Sequence, residues 1–122
     1  MKGAGTDLVS VVRLSRSLAR GPDFAREVFT HRERRYCEAR PNPAQHYAAR
    51  FAAKEAFLKA VGVGLFGGVS LQDIEVVRDG DDAPRLELGP TAAAALRRVG
   101  ASQSHVSLSH ERDYALALVL LS

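Results

Sequence analysis

The chain of 122 residues has one cysteine, one methionine, no tryptophan and only 7% aromatic residues. A lone thiol, Cys37, excludes an internal disulfide and has no companion cysteine for a zinc site. It reads as a structural thiol on a helix, in a chain suited to a reducing compartment. No apolar run approaches the roughly 18–20 residues that span a bilayer. The N-terminus, MKGAGTDLV, lacks the apolar core of a signal peptide. A cytoplasmic location without membrane association is the expectation. Several catalytic signatures are also missing: the GxxxxGK[ST] phosphate loop, the GxSxG elbow, a Ser/His/Asp order and zinc-ligand spacing. There is no low-complexity segment, linker or internal repeat.

What is present suits a globular chain. Hydrophobic residues make up 46%, enough for a packed core, and the length predicts a single domain over residues 1–122. The net charge of +3 is unevenly spread. Residues 1–60 hold 12 Lys/Arg against 6 Asp/Glu, whereas residues 61–122 hold 5 against 8. A basic first half suits an anionic partner: nucleic acid, a phosphorylated ligand or an acidic protein. A small, non-catalytic RNA-binding module is therefore one reading. Against it, Tyr36 is the only aromatic in the arginine-rich stretch 31–40, and there is no stacking row or RNP-type motif.

The pattern along the chain predicts a strand over 3–9, leading into a turn. Arg13, Arg16 and Arg20 then share one helical face, opposite Val11, Leu14 and Leu18. Gly21-Pro22-Asp23 ends that helix and starts another. Thr30 and Glu33 have capping-box spacing for a basic helix over about 31–39. Pro41-Asn42-Pro43 breaks the chain before a long helix from about Ala44 to Val61. Leu71–Arg78 and Arg85–Leu88 read as strands around the turn-forming Asp79-Gly80-Asp81-Asp82. A helix from Pro90 to about Val99 is followed by a strand around Val106 and Leu108, and by a final, largely buried strand over Tyr114–Leu121. The expected class is α+β, with a mostly antiparallel sheet and helices grouped on one side.

Two carboxylates stand out. Asp7 is placed at the end of the first strand, where capping the next helix would be its ordinary role. Glu55 falls on the apolar side of the central helix, beside Ala48, Phe51, Ala52, Leu58 and Lys59. A buried carboxylate needs a cation, hydrogen-bond donors or a metal. Lys59, one turn on, is the simplest partner. The neighbouring alanines would let another surface approach, which suits a site better than a solvated ion pair. Asp7 and Glu55 are also the kind of oxygen ligands that Mg²⁺ takes, together with waters and phosphates. Lys54, Lys59, Gly62 and Gly64 could receive phosphate, although Gly62-Val63-Gly64 equally reads as a helix stop. In His105-Val106-Ser107-Leu108-Ser109-His110, the odd positions share one strand face. His105 and Ser107 could there contact phosphate or adenine, or form an ordinary wet face.

Four motifs, in order and spacing, cover almost the whole chain: GTDLV (5–9), RFAAKEAFLKAVGVG (50–64), DIEVVRD (73–79) and HVSLSH (105–110). Together they resemble the holo-[acyl-carrier-protein] synthase family, the small bacterial type of 4′-phosphopantetheinyl transferase. The resemblance implies a homotrimer with active sites between neighbouring subunits. It also implies Mg²⁺-dependent transfer of phosphopantetheine from coenzyme A to a serine of apo acyl carrier protein, for fatty-acid or polyketide synthesis. Adenosine 3′,5′-bisphosphate is the co-product. By this resemblance Asp7 and Glu55 are the metal pair and, with Lys59, the catalytic group. His105 matches the histidine of the coenzyme A pocket, and Lys54, Gly62, Gly64 and Ser107 are expected to contact coenzyme A with it. The serine proton goes to Glu55, directly or through a metal-bound water. Arg13, Arg16 and Arg20 dock the acidic helix of the carrier. One position departs from the family pattern: Ser10 stands where a glutamate is usual.

Overall fold

A computed structural model describes all residues 1–122. Strand β1 (Gly3–Ser10) runs directly into helix α1 (Val11–Ala19), followed by α2 (Asp23–Val28), α3 (His31–Glu38) and the 19-residue α4 (Pro43–Val61). A 3-10 turn (Leu71–Asp73) leads into the hairpin of β2 (Ile74–Val77) and β3 (Arg85–Leu88). Helix α5 (Pro90–Arg98) precedes the second hairpin, β4 (Ser104–His110) and β5 (Tyr114–Leu121). The α+β expectation holds. The antiparallel pairing divides into a three-stranded sheet, β1-β5-β4, and a separate two-stranded one, β2-β3.

Helix α4 lies across the three-stranded sheet, and its alanines decide how closely. Ala49, Ala52, Ala53, Ala56 and Ala60 are buried, as are Ala115, Ala117 and Val119 on β5. Small side chains on both surfaces bring the backbones together. At Gly5 a Cβ would collide with the carbonyl oxygen of Ala56 and would meet Ala60 N at 2.8 Å. The surface that the helix alanines admit is thus the chain's own sheet. Two core clusters share α4 as their wall, one toward β2, α5 and β5, the other toward α1–α3.

Local chemistry explains most element ends. Thr30 and Glu33 form both bonds of the capping box. Gly62 closes α4 at φ 73°, a left-handed conformation that glycine adopts without strain. Ser10, not Asp7, caps α1, its hydroxyl accepting from Arg13 N at 3.3 Å. The expected strand from Leu71 starts later, at Ile74, because residues 71–73 coil into the 3-10 turn. Strand β5 is buried on alternate residues only. Its other face leaves Tyr114, Leu116 and Leu118 in the open, beside Leu8 of β1. No helix is long and apolar enough to cross a membrane.

Candidate active site

The largest cavity, about 490 Å³, opens between β1, α1 and α4. Asp7 and Glu55 both line it, with Arg13, Arg16 and Arg20 along α1 and Phe24 and Phe51 among its apolar residues. Asp7 lies inside β1 rather than at its end, opposite the buried Ala117. The two-residue period of the strand therefore turns it toward α4. Glu55 accepts no hydrogen bond and forms no ion pair within the chain. Burial first, and the Asp7 carboxylate second, raise its pKa above the ordinary value, while Lys59 opposes them. Two facing carboxylates, one of them unpartnered, form a donor set that fits a hard divalent cation. No group of three His, Cys, Asp or Glu side chains is gathered anywhere, so waters and phosphate oxygens would complete such an ion's shell.

The expected Glu55–Lys59 pair does not form. Lys59 Nζ donates instead to Asp7 Oδ1 and to the Thr6 carbonyl, both at 3.0 Å. Strand β1 packs alongside α4 and offers the ammonium a closer partner than its own helix does. One of its three N–H donors remains free beside Asp7.

Lys54 leaves the phosphate-binding set. Its side chain is 0% exposed. Nζ donates to Glu33 Oε1 at 2.8 Å and to the carbonyls of Leu71 at 2.8 Å and Ile74 at 2.7 Å. Burial pushes its pKa down, and Glu33 opposes that shift. All three donors are used, so none remains for a ligand. Gly62 and Gly64 lie beyond the end of α4 with open space around them, away from the residues that line the cavity.

His105 and Ser107 sit on the opposite face of the sheet from Asp7. Register pairs His105 with Leu120 and Ser107 with Leu118, on the outer face, whereas Asp7, Ala117 and Leu108 face α4. His105 Nε2 lies 3.1 Å from Ser122 Oγ. Within one chain neither residue reaches the Asp7–Glu55 cavity.

A smaller cavity, about 190 Å³, lies at the β4 edge and was not read from the motifs. Tyr36, His46, Arg50, Arg78 and His110 line it without any carboxylate. Arg50 is 3% exposed, yet its Nε has no hydrogen-bond partner. Its guanidinium carbon lies 3.9 Å from the Tyr36 ring centroid, and that of Arg40 lies 3.4 Å from it. The available signal was His110, the even-numbered end of HVSLSH. Strand alternation turns it inward with Val106 and Leu108, away from His105 and Ser107.

The arginines of α3 and of the turn after it are largely engaged within the chain. Arg32 donates to Glu75 and Glu87, Arg34 to the Phe29 carbonyl and Arg40 to the Tyr36 carbonyl. They do not form the free basic face that an RNA-binding module would need.

Comparison with known proteins agrees with this geometry. The family model described as the 4′-phosphopantetheinyl transferase superfamily matches residues 3–119. A holo-[acyl-carrier-protein] synthase of Syntrophus aciditrophicus (strain SB) is 47% identical over 120 residues, covering 98% of this chain and 94% of the relative. The crystal structure of the Neisseria meningitidis holo-[acyl-carrier-protein] synthase superposes with TM-score 0.89 at 37% identity, covering 100% of this chain and 98% of that one. The Helicobacter pylori synthase, solved in complex with coenzyme A, gives TM-score 0.84 at 27% identity over 98% of this chain and 99% of that one. The non-catalytic RNA-binding reading is thereby replaced: the chain is an enzyme and belongs to the 4′-phosphopantetheinyl transferase superfamily, among the holo-[acyl-carrier-protein] synthases.

Proposed function

We propose that this enzyme transfers phosphopantetheine from coenzyme A to a serine of apo acyl carrier protein, for fatty-acid or polyketide synthesis. The observation that carries the reading is the unpartnered Glu55 facing Asp7 in a cavity rimmed by Arg13, Arg16 and Arg20. Asp7 and Glu55 would hold Mg²⁺, which supplies positive charge to the diphosphate of coenzyme A as a P–O bond breaks. The serine oxygen bonds to the phosphorus that carries pantetheine. The bond from that phosphorus to the bridging oxygen breaks, and adenosine 3′,5′-bisphosphate leaves. Glu55 takes the serine proton as general base. Lys59 turns its free N–H to the leaving phosphate. Arg13, Arg16 and Arg20 dock the acidic carrier, an attraction that weakens with salt.

Geometry also supports a cyclic assembly with shared sites, which the family resemblance makes a homotrimer. The Asp7–Glu55 cavity lies at the β1 edge of the sheet and the Arg50–His110 cavity at the β4 edge, with β5 between. One chain presents two half-sites that face apart. Coenzyme A has a diphosphate for the first and a 3′-phosphate for the second, contributed by the neighbour. Such head-to-tail contact closes only as a ring. The exposed outer face supplies apolar area for it, with Leu8 61%, Leu116 45% and Leu118 37% exposed. His105 and Ser107, at the margin of that face, would meet coenzyme A only across the interface.

The test is a mass measurement on apo carrier protein incubated with enzyme, coenzyme A and Mg²⁺. The carrier should gain one phosphopantetheine, and omitting coenzyme A or chelating the metal should abolish the gain. An unchanged carrier mass under full conditions overturns the assignment. Light scattering should give three chains per particle.

A further inference from the structure

The reading of the β4-edge cavity as the seat of a phosphate supports a narrower statement about one of its residues. Arg50 is a buried cation with an unsatisfied Nε and no carboxylate beside it. Such a group calls for an anion. His46, one turn earlier on α4, accepts from Arg50 through its own carbonyl at 3.4 Å and turns its ring into the same cavity. The imidazole meets His110 edge-on, with ring centroids 5.4 Å apart, and Tyr36 at 6.0 Å. The charged and titratable groups facing it come from every neighbouring element: Arg50 on α4, Tyr36 on α3, Arg40 just after α3, Arg78 just after β2 and His110 on β4. No acid offsets them.

We propose that His46 is a specificity-determining residue of this subsite, taking up a proton when a phosphomonoester dianion enters and so selecting the doubly charged end of coenzyme A. This rests on the placement of the nucleotide proposed above. Without a ligand, burial and then the surrounding cations hold the His46 imidazole below its ordinary pKa, so it is neutral at pH 7. A dianion at hydrogen-bond range reverses the local field. An opposite charge that close moves a pKa by about one unit or more. The neutral ring thus becomes a second N–H donor only for a ligand carrying enough charge to protonate it. A hydroxyl in place of the phosphate does not, and the pocket then keeps its excess of cations unmatched. Because binding consumes a proton, affinity for the phosphomonoester falls as pH rises. Above pH 7 the phosphate itself is already mostly dianionic, its second pKa being about 6. A pH dependence there reports the protein.

The experiment uses the full-length enzyme and adenosine 3′,5′-bisphosphate as probe. Imidazole resonances, assigned with His46→Gln and His110→Gln, are titrated by NMR with and without the probe. The His46 pKa should rise by about one unit or more on binding. In parallel, the preference for coenzyme A over 3′-dephospho-coenzyme A should decline from pH 7 to 8.5. In His46→Gln that preference should be weaker by about threefold to tenfold at pH 7 and flat with pH. If the probe shifts His110 and Arg50 resonances while the His46 pKa stays put, the inference fails and the subsite stands. If the probe leaves all three residues undisturbed, the subsite and the inference fall together. A His46→Gln enzyme that keeps the pH-dependent preference also overturns the inference.

Discussion

Lys54 and Glu55 are neighbours on one helix and could hardly be held more differently. The Lys54 ammonium is fully buried, with three oxygen acceptors for its three donors. Through Glu33, whose other oxygen accepts from Val76 N at 3.0 Å, it ties α3, α4 and β2 together. Glu55 is only partly covered, faces another carboxylate and has no partner in the chain. A charge whose bonding is complete belongs to the structure, whereas a charge left unmatched in a cavity is available for chemistry. The same test separates Arg50, buried with a free Nε, from Arg32, which is spent on Glu75 and Glu87.

The sharpest way to break this contrast is to exchange the two roles. Glu55→Gln should lower the rate of phosphopantetheine transfer by about 10²–10⁴-fold, measured as carrier mass gain over time, while the fold persists. A variant with native activity would end the role of Glu55. Lys54→Met should do the opposite kind of damage. It leaves Glu33 charged, buried and unpaired, at a cost of about 3–5 kcal/mol in denaturant unfolding. An unfolding midpoint matching the native protein would show that the buried pair is not the tie described.

Smaller effects sharpen the picture. Arg13→Glu should raise KM for the carrier about tenfold, roughly 1.4 kcal/mol of binding, and leave KM for coenzyme A near its native value. Equal changes in both would mean that the arginine row does not distinguish carrier from nucleotide. The smallest effect concerns stability without metal. A carboxyl whose pKa is raised on folding favours the folded state most when protonated, so Glu55 should erode stability as pH rises through its raised pKa. Metal-free Glu55→Gln should lack that decline and melt slightly higher at neutral pH, in a calorimetric series from pH 4 to 8. A parallel decline in both proteins would remove Glu55 as its source.

Periodicity and punctuation exposed most of the fold in advance. The prolines around Asn42, the glycine at 62, the capping box at Thr30 and the alternation in β4 act over a few residues, and each marks an element boundary or a face. The site was legible in part, because Asp7 and Glu55 lie in motifs distinctive enough to resemble a family. Which lysine serves the site was not legible. Lys54 and Lys59 look alike in sequence, and only the packing of β1 and of the 3-10 turn onto α4 decides which one is spent on structure. The cavity around Arg50 was hidden for a related reason, since its walls come from α3, α4, β4 and the residue after β2.

By itself the sequence determined which segments form helices and strands, which faces are apolar and which few acids are candidates for chemistry, because those properties are set within a turn or two of the chain. Tertiary structure alone decided that Lys59 joins Asp7 instead of Glu55, that Lys54 is sealed away, and that the two cavities open at opposite edges of one sheet. Partnership and direction depend on groups from distant segments meeting at hydrogen-bond range, and local pattern carries no information about which of them will meet.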